Sequence, residues 1–314
     1  MLNNSVNLIA VCGPTASGKT RLAVNLALRY TGEIVSADSR QVYRGMDIGT
    51  AKPDPDTLAE FPHRLIDIRD PGDPYSAAEF RRDALDAVER SLSAGRIPLI
   101  TGGTMFYLSA LINGLSELPE ADERLRESIL ERAARQGWAA LHEQLAGVDP
   151  EMAASIRPAD RQRLQRAHEI LLATKRLPSE VLREARPAPI PHPILHLAVF
   201  LPRREDLHRR IESRFHGMLE RGLLEEVERL RRHPSLTADS ASMRTVGYRQ
   251  AWKYLDGTGG FDEFVAGSLA ATRQLAKRQL TWMRQTAGLL WYDASGPKIL
   301  YDLLTCLEQR VARR

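Results

Sequence analysis

The sequence predicts an α/β fold, a parallel sheet flanked by helices, interrupted by a small all-helical insertion. Three observations carry that expectation. Short β-branched runs alternate with helical patterns through the first hundred residues, a glycine-rich loop joins the first run to the first helix, and the alternation stops near residue 122 to resume near residue 194. Alternating strands and helices build a parallel sheet because each crossover helix returns the chain to the same end of the sheet.

The candidate strands of the first half are residues 8–12, 33–36, 64–68 and 97–100. Between the last two, Ser76 and Glu79 have capping-box spacing, and Phe80, Ala84, Val88 and Leu92 recur every four residues. That pattern is a helix of about five turns, ended near Gly95. From residue 122 to 175 the β-runs give way to helical periodicity: Leu125, Ile129 and Ala133, then Leu141 and Leu145, then Leu164, Ala167 and Leu171. A turn near Pro119 and the proline-rich residues 186–193 connect this module to the rest. Residues 194–201 read as a further buried strand, and residues 206–314 as mainly helical with a short aromatic run at 289–292. The expected organisation is a P-loop-type α/β core over 1–118 and 194–314, with a helical insertion over 119–193.

Composition narrows the class. With 43% hydrophobic and 27% charged residues, the 314-residue chain has the make-up of a soluble globular protein. No apolar run approaches the roughly 18 to 20 residues of a membrane span. Residues 1–7 lack the basic start of a secretory signal. Two cysteines, Cys12 and Cys306, build neither a disulfide framework nor a four-cysteine zinc site, and the eight histidines show no metal-ligand spacing such as H-E-x-x-H. A cytoplasmic protein is expected. The formal charge of +4 is too small to name a partner by itself, so local patches matter more.

The sharpest motif is Gly13-Pro14-Thr15-Ala16-Ser17-Gly18-Lys19-Thr20, which fits G-x-x-x-x-G-K-[ST] between a strand and a helix bearing Leu22, Ala23, Leu26 and Ala27 on one side. The glycines let backbone amides converge on an anion, the helix adds its positive end, Lys19 neutralises phosphate oxygens, and the Thr20 hydroxyl is placed to hold magnesium. A ligand-free glycine turn would need neither lysine nor threonine. Cys12, just before the loop, reads as a small buried filler rather than a nucleophile. The loop does not choose the reaction: a kinase transfers one phosphate, whereas other enzymes discard a diphosphate. A small-molecule kinase with the insertion as its lid, and a nucleotide-dependent RNA-binding switch, both stay open at this point.

The acceptor side must decide. Asp38 lies at the C-terminal end of the second strand, where open α/β sheets bind ligands, although an aspartate there also suits a helix cap. Thr101-Gly102-Gly103-Thr104 follows the fourth strand at the same edge, either a routine turn or a site where Thr104 hydrogen-bonds a ligand.

Together, residues 13–20, the segment Ser36-Ala37-Asp38-Ser39-Arg40-Gln41-Val42-Tyr43, residues 45–53 (GMDIGTAKP), residues 63–71, Gly102-Gly103-Thr104-Met105, Arg244-Thr245-Val246-Gly247-Tyr248-Arg249 and residues 273–282 (RQLAKRQLTW) resemble the tRNA dimethylallyltransferase, or tRNA isopentenyltransferase, family. The resemblance spans nearly the whole chain, and the joint order of the segments is specific. It implies transfer of a dimethylallyl group from dimethylallyl diphosphate to the exocyclic amine of the adenosine immediately 3′ to the tRNA anticodon, position 37, with Mg2+ as cofactor. It implies that the P-loop holds the donor's diphosphate instead of using ATP as substrate. Asp38 becomes the base, with Thr104 and Lys19 also catalytic. Contacts to the tRNA anticodon stem-loop are implied for Asp38, Ser39, Arg40, Gln41, Thr104 and Arg126, for Gln162, Leu164 and Gln165 with Arg163 and Arg166, for residues 244–249, and for Lys277, Arg278, Gln279, Leu280, Thr281, Trp282, Met283 and Arg284. Some members from nucleus-containing organisms carry a C-terminal zinc finger, which two distant cysteines cannot form, so the chain looks like the shorter bacterial form, expected as a monomer.

The chemistry fits the residues. An adenine exocyclic amine is a poor nucleophile, so a base that takes its proton as the bond forms helps alkylation, and the departing diphosphate needs the cations of the loop. The base must also leave its stack to reach such a site. Two basic regions are candidates for holding the surrounding RNA. One lies between Arg157 and Arg176, where Arg157, Arg161, Arg163, Arg166, Lys175 and Arg176 face only Asp160 and Glu169. The other is a helix over 273–285 whose wheel puts Arg273, Gln274, Lys277, Arg278, Thr281, Arg284 and Gln285 on one half and Leu275, Ala276, Trp282 and Met283 on the other, with no acid to pair the four cations. The insertion is expected to act as a clamp that moves when RNA binds.

Overall fold

The computed structural model describes residues 7–116, 118, 122–185 and 187–296. The turn near Pro119, Arg186, Cys306 and the part of the expected core beyond residue 296 lie outside them. The chain divides into two compact units, one formed by Met1–Ile112 with Ile190–Arg314 and the other by Asn113–Pro189.

The first unit opens with β1 (Leu8–Cys12), α1 (Lys19–Tyr30), β2 (Gly32–Ser36), α2 (Pro55–Glu60), β3 (His63–Arg64), α3 (Ala77–Ser93), β4 (Ile97–Gly102) and α4 (Met105–Asn113). The second unit holds α5 (Glu123–Gln136), α6 (Trp138–Val148), α7 (Pro150–Ser155), α8 (Arg161–Thr174) and α9 (Pro178–Glu184). The chain then completes the first unit with β5 (Ile194–Phe200), α10 (Arg204–Glu220), α11 (Leu223–Arg231), α12 (Tyr248–Leu255), α13 (Phe261–Gln285) and β6 (Leu290–Asp293).

The sheet is parallel throughout, in the order β3-β2-β4-β1-β5-β6. Its central strands are buried on both faces, which is why β1 reads as an unbroken apolar run rather than an alternating one. Ile9 and Val11 join Ile34, Leu99, Leu197 and the α1 residues Ala23 and Leu26 on one face. Leu8, Ala10 and Cys12 join Val35, Ile100, Phe80 of α3, Leu108 of α4 and Phe215 of α10 on the other. Cys12 is fully buried and its thiol is pushed up to about 12 by desolvation, so it is inert filler. At α3 the Ser76 hydroxyl accepts from the Glu79 amide and the Glu79 carboxylate accepts from the Ser76 amide, the reciprocal cap that the spacing predicts.

The strand expected at 64–68 is cut to two residues. Leu65 and Asp67 take positive φ values of 64° and 56°, a conformation no ladder tolerates, and the chain turns to pair with the loop after β2 through Asp67 N–H to Gln41 O and Arg69 N–H to Val42 O. The helical unit has its own core of Ile129, Ala133, Leu141, Leu145, Ala153, Ile156, Leu164 and Ala167. Its limits fall earlier than 119 and 193, because Ile190 already donates to the Ile112 carbonyl within the first unit.

Candidate active site

The P-loop runs from the end of β1 into α1. A Cβ at position 13 would sit 2.5 Å from Ser17 Oγ and 2.7 Å from the Val199 carbonyl, so only glycine fits where the loop leaves the sheet. Gly18 has φ 94° and carries no side chain to cap α1, leaving the first amides of the helix for an anion. Lys19 is partly buried, and desolvation pushes its ammonium down to about 8; Asp38 opposes that shift and Arg214 adds to it.

Two arginines of α10 complete this end. Arg214 donates to Thr15 Oγ1 at 2.5 Å, and Arg210 donates to the Ser17 carbonyl at 3.3 Å. Burial lowers the basicity of the Arg214 guanidinium while Asp38 favours its charge. Sequence reading missed both. Their i, i+4 spacing puts them on one face of a helix following a strand, but nothing local ties that helix to the loop nearly two hundred residues earlier.

Asp38 follows β2, and its carboxylate accepts from the Arg40 amide at 2.9 Å. That is a local turn rather than a helix cap, since the next helix starts at Pro55. Thr104 Oγ1 accepts from the Ser39 amide at 3.0 Å and donates to Ser39 Oγ at 3.2 Å, so the turn after β4 holds the Asp38 loop. Lys19, Thr20, Asp38, Thr104 and Arg214 line one cavity of about 480 Å³, within the usual range of roughly 300 to 1,000 Å³ for small-molecule sites. Ile211, Phe215, Met218, Leu223 and Leu275 give it an apolar wall. His63 Nε2 and Thr101 Oγ1, also lining it, are buried polar atoms without a partner among the described residues. A second cavity of about 560 Å³, lined by Arg209, Arg210, Arg214, Lys19 and Thr20, adjoins the phosphate loop.

Gln41 donates to the carbonyls of Thr50 and Ala51, and Arg40 donates to the Ala241 carbonyl, tying cavity-lining loops together. Of residues 244–249, Arg244 and Arg249 are exposed, Val246 is half-buried, and Thr245, Gly247 and Tyr248 are buried. On α13, Lys277, Arg278, Thr281 and Arg284 are exposed, Arg278 at the rim of the cavity, while Leu280 packs against the core.

Several sequence expectations for this surface are corrected. Arg273 is not free of acids, since Glu212 of α10 lies 3.6 Å away. Trp282 does not belong to the buried half: it is 41% exposed and its ring lies 6.3 Å from that of Phe106, itself 50% exposed, at the cavity. Met283 and Leu164 are core side chains, as their apolar periodicity predicts, Tyr248 is likewise buried, and Gln279 is hydrogen-bonded to the phosphate loop. In the helical unit, Gln162, Arg161 and Arg163 are exposed, but Glu169 accepts from Arg126, Gln165 and Arg166, so its cations are less free than their count implies.

A P-loop, a carboxylate at the strand end beside it and an apolar wall thus meet at one cavity, the arrangement of a candidate active site. Residues 41–286 match the family model described as IPP transferase. The chain is 50% identical to tRNA dimethylallyltransferase 2 of Hahella chejuensis (strain KCTC 2396), over 96% of this chain and 95% of that protein. Among solved structures it is similar to the full-length tRNA isopentenylpyrophosphate transferase of Bacillus halodurans, at 34% identity and a TM-score of 0.72, covering 97% of this chain and 96% of that one. It is also similar to a eukaryotic dimethylallyltransferase captured acting on tRNA, at 25% identity and a TM-score of 0.83, covering 99% of this chain and 81% of that one. The chain belongs to the IPP transferase family.

Proposed function

We propose that the protein transfers a dimethylallyl group from dimethylallyl diphosphate to the exocyclic amine of the tRNA adenosine immediately 3′ to the anticodon, releasing diphosphate. The observation that carries this reading is the shared cavity: phosphate-binding cations and a carboxylate line one space with an apolar wall. In the reaction the amine nitrogen attacks the allylic carbon, the carbon–oxygen bond to diphosphate breaks, and the amine proton passes to the Asp38 carboxylate. Lys19, Arg214 and the loop amides stabilise charge on the leaving oxygens. The Ile211, Phe215 and Met218 wall takes the five-carbon chain, and Thr104 holds the Asp38 loop against the target base.

Magnesium fits the donor set here in one manner. Among the described residues no group of three or more His, Cys, Asp or Glu side chains forms a metal cage. The Thr20 hydroxyl is a hard oxygen donor at the phosphate-loop end of the cavity, which suits an ion held mainly by diphosphate oxygens and water and leaves the Asp38 carboxylate free to act as base. When bound, it supplies further neutralisation of the leaving group.

The exposed cations of α13 and α8 hold the RNA backbone while the target base leaves its stack. Among the described residues no helix is long and apolar enough to cross a membrane. Incubation with dimethylallyl diphosphate and bulk tRNA, with ATP as control, tests the proposal. A tRNA heavier by one dimethylallyl group, with free diphosphate, is expected. Phosphorylation of a small acceptor from ATP, with dimethylallyl diphosphate ignored, overturns it.

A further inference from the structure

Gln279 sits amid the cations of α13, yet it turns away from them. Its Oε1 accepts from the Thr15 amide of the phosphate loop at 2.9 Å, and its Nε2 donates to the Gly103 carbonyl at 2.8 Å. One carboxamide therefore bridges the loop that holds the leaving group and the turn that carries Thr104. Gly103 is cut to fit it, since a Cβ there would lie 2.5 Å from Gln279 Nε2. The hydrogen bonds continue on both sides. Arg214 holds the Thr15 hydroxyl, and Thr104 holds Ser39, the neighbour of Asp38.

We propose that Gln279 is a positioning residue that fixes the separation of the phosphate loop from the acceptor turn, and so of leaving group from base, rather than a contact to RNA. The inference rests on the prenyl-transfer reading. In-line displacement needs nucleophile, allylic carbon and diphosphate held together, and a misplacement of about 1 Å costs on the order of 100-fold in rate. The bridge needs an acceptor and a donor at the end of a stem of this length. Methionine supplies neither group, and asparagine supplies both on a stem one methylene shorter.

The test compares Gln279→Met, Gln279→Asn, Thr104→Ala and the Gln279→Met/Thr104→Ala double variant in single-turnover prenyl transfer, alongside equilibrium tRNA binding and thermal unfolding. Wild-type prenyl transfer is the prior control: if it is absent, the functional reading fails and not this inference alone. With that control positive, both Gln279 variants are expected to lose about 100-fold in the single-turnover rate while tRNA affinity holds. Because the two residues act through one bridge, the double variant is expected to lose less than the product of the single losses. The proposal is overturned by tRNA affinity that falls in step with rate, by an unchanged rate, by restoration in Gln279→Asn, or by losses in the double variant that simply multiply. A rate loss accounted for by the unfolded fraction of both variants also overturns it.

Discussion

At Asp38 the difference between a base and a hydrogen-bonding group is one atom. Asp38→Asn keeps the side chain's shape and its acceptor for the Arg40 amide but cannot take a proton. Single-turnover prenyl transfer is expected to fall about 100 to 10,000-fold with little change in tRNA affinity, and near-normal transfer would refute the base assignment. Lys19 makes a second residue-scale prediction. Its ammonium, brought to about 8 by burial, is charged below that pH and neutral above it. In the free enzyme, kcat/KM for dimethylallyl diphosphate is therefore expected to decline as pH rises from 7 to 9; a flat profile counts against the lowered basicity of Lys19, and Lys19→Ala tests its role as the phosphate cation. His196 is a stability case. Its imidazole lies buried on β5 with no partner for Nε2 among the described residues, and burial pushes it down to about 4. The folded state holds it neutral while the unfolded chain, near 6.5, takes a proton. Stability is thus full above about pH 6.5 and declines as pH falls toward 4, by on the order of 3 kcal/mol at most. His63 and His168 shift in the same direction, so His196→Leu is expected to flatten, not abolish, the acid slope in denaturant unfolding between pH 7 and 4.5.

At the scale of elements, one buried carboxylate orders two of the motifs singled out in the sequence. Glu226 of α11, 1% exposed, accepts from the amides of Asp47, Ile48 and Gly49 and from the Tyr248 hydroxyl. It thereby joins the 45–52 loop to the start of α12, and both stretches line the cavity through Gly49, Thr50 and Gly247. In Glu226→Gln the new amide donor must face one of the two donor pairs. A loss of about 1 to 3 kcal/mol is expected in urea unfolding, against about 0.5 to 1.5 kcal/mol for Tyr248→Phe, which removes a single bond; equal losses would show the carboxylate is not the organiser. The same contrast explains what was legible. The P-loop, the α3 cap and strands 8–12 and 97–100 depend on neighbours in sequence and could be read there. The shortening of β3 depends on positive φ at Leu65 and Asp67, residue types that give no warning of it. Gln279 meets Thr15 across 264 positions and Arg214 meets it across 199, so these partners were invisible to local pattern. Trp282 misled because a helical wheel assigns aromatic residues to the core, whereas here the ring borders a cavity.

For the whole molecule, the weak net charge of +4 conceals an uneven supply of free cations. Lys277, Arg278 and Arg284 of α13 have no acidic partner among the described residues, whereas Arg126 and Arg166 of the helical unit share the buried Glu169, and Arg163 lies 3.6 Å from Asp160. Binding by counterion release depends on phosphates neutralised, and each cation lost should lower the slope of log affinity against log salt by about one. A cation already matched by a carboxylate contributes less, because its field at a phosphate is partly cancelled and its geometry is fixed by the existing pair. Raising salt is therefore expected to weaken tRNA binding steeply, and Lys277→Ala with Arg284→Ala to reduce the slope by about two. Arg126→Ala is expected to reduce it by less than one, and to act instead by leaving Glu169 less fully satisfied, seen as lower stability of the helical unit. Hydrogen exchange supplies the independent check: amides of α8 are expected to slow on addition of tRNA, since its exposed Arg161 and Gln162 then meet the backbone. A salt slope unchanged by the α13 substitutions would remove the RNA surface from that helix, and equal exchange in α8 with and without tRNA would remove the helical unit from binding.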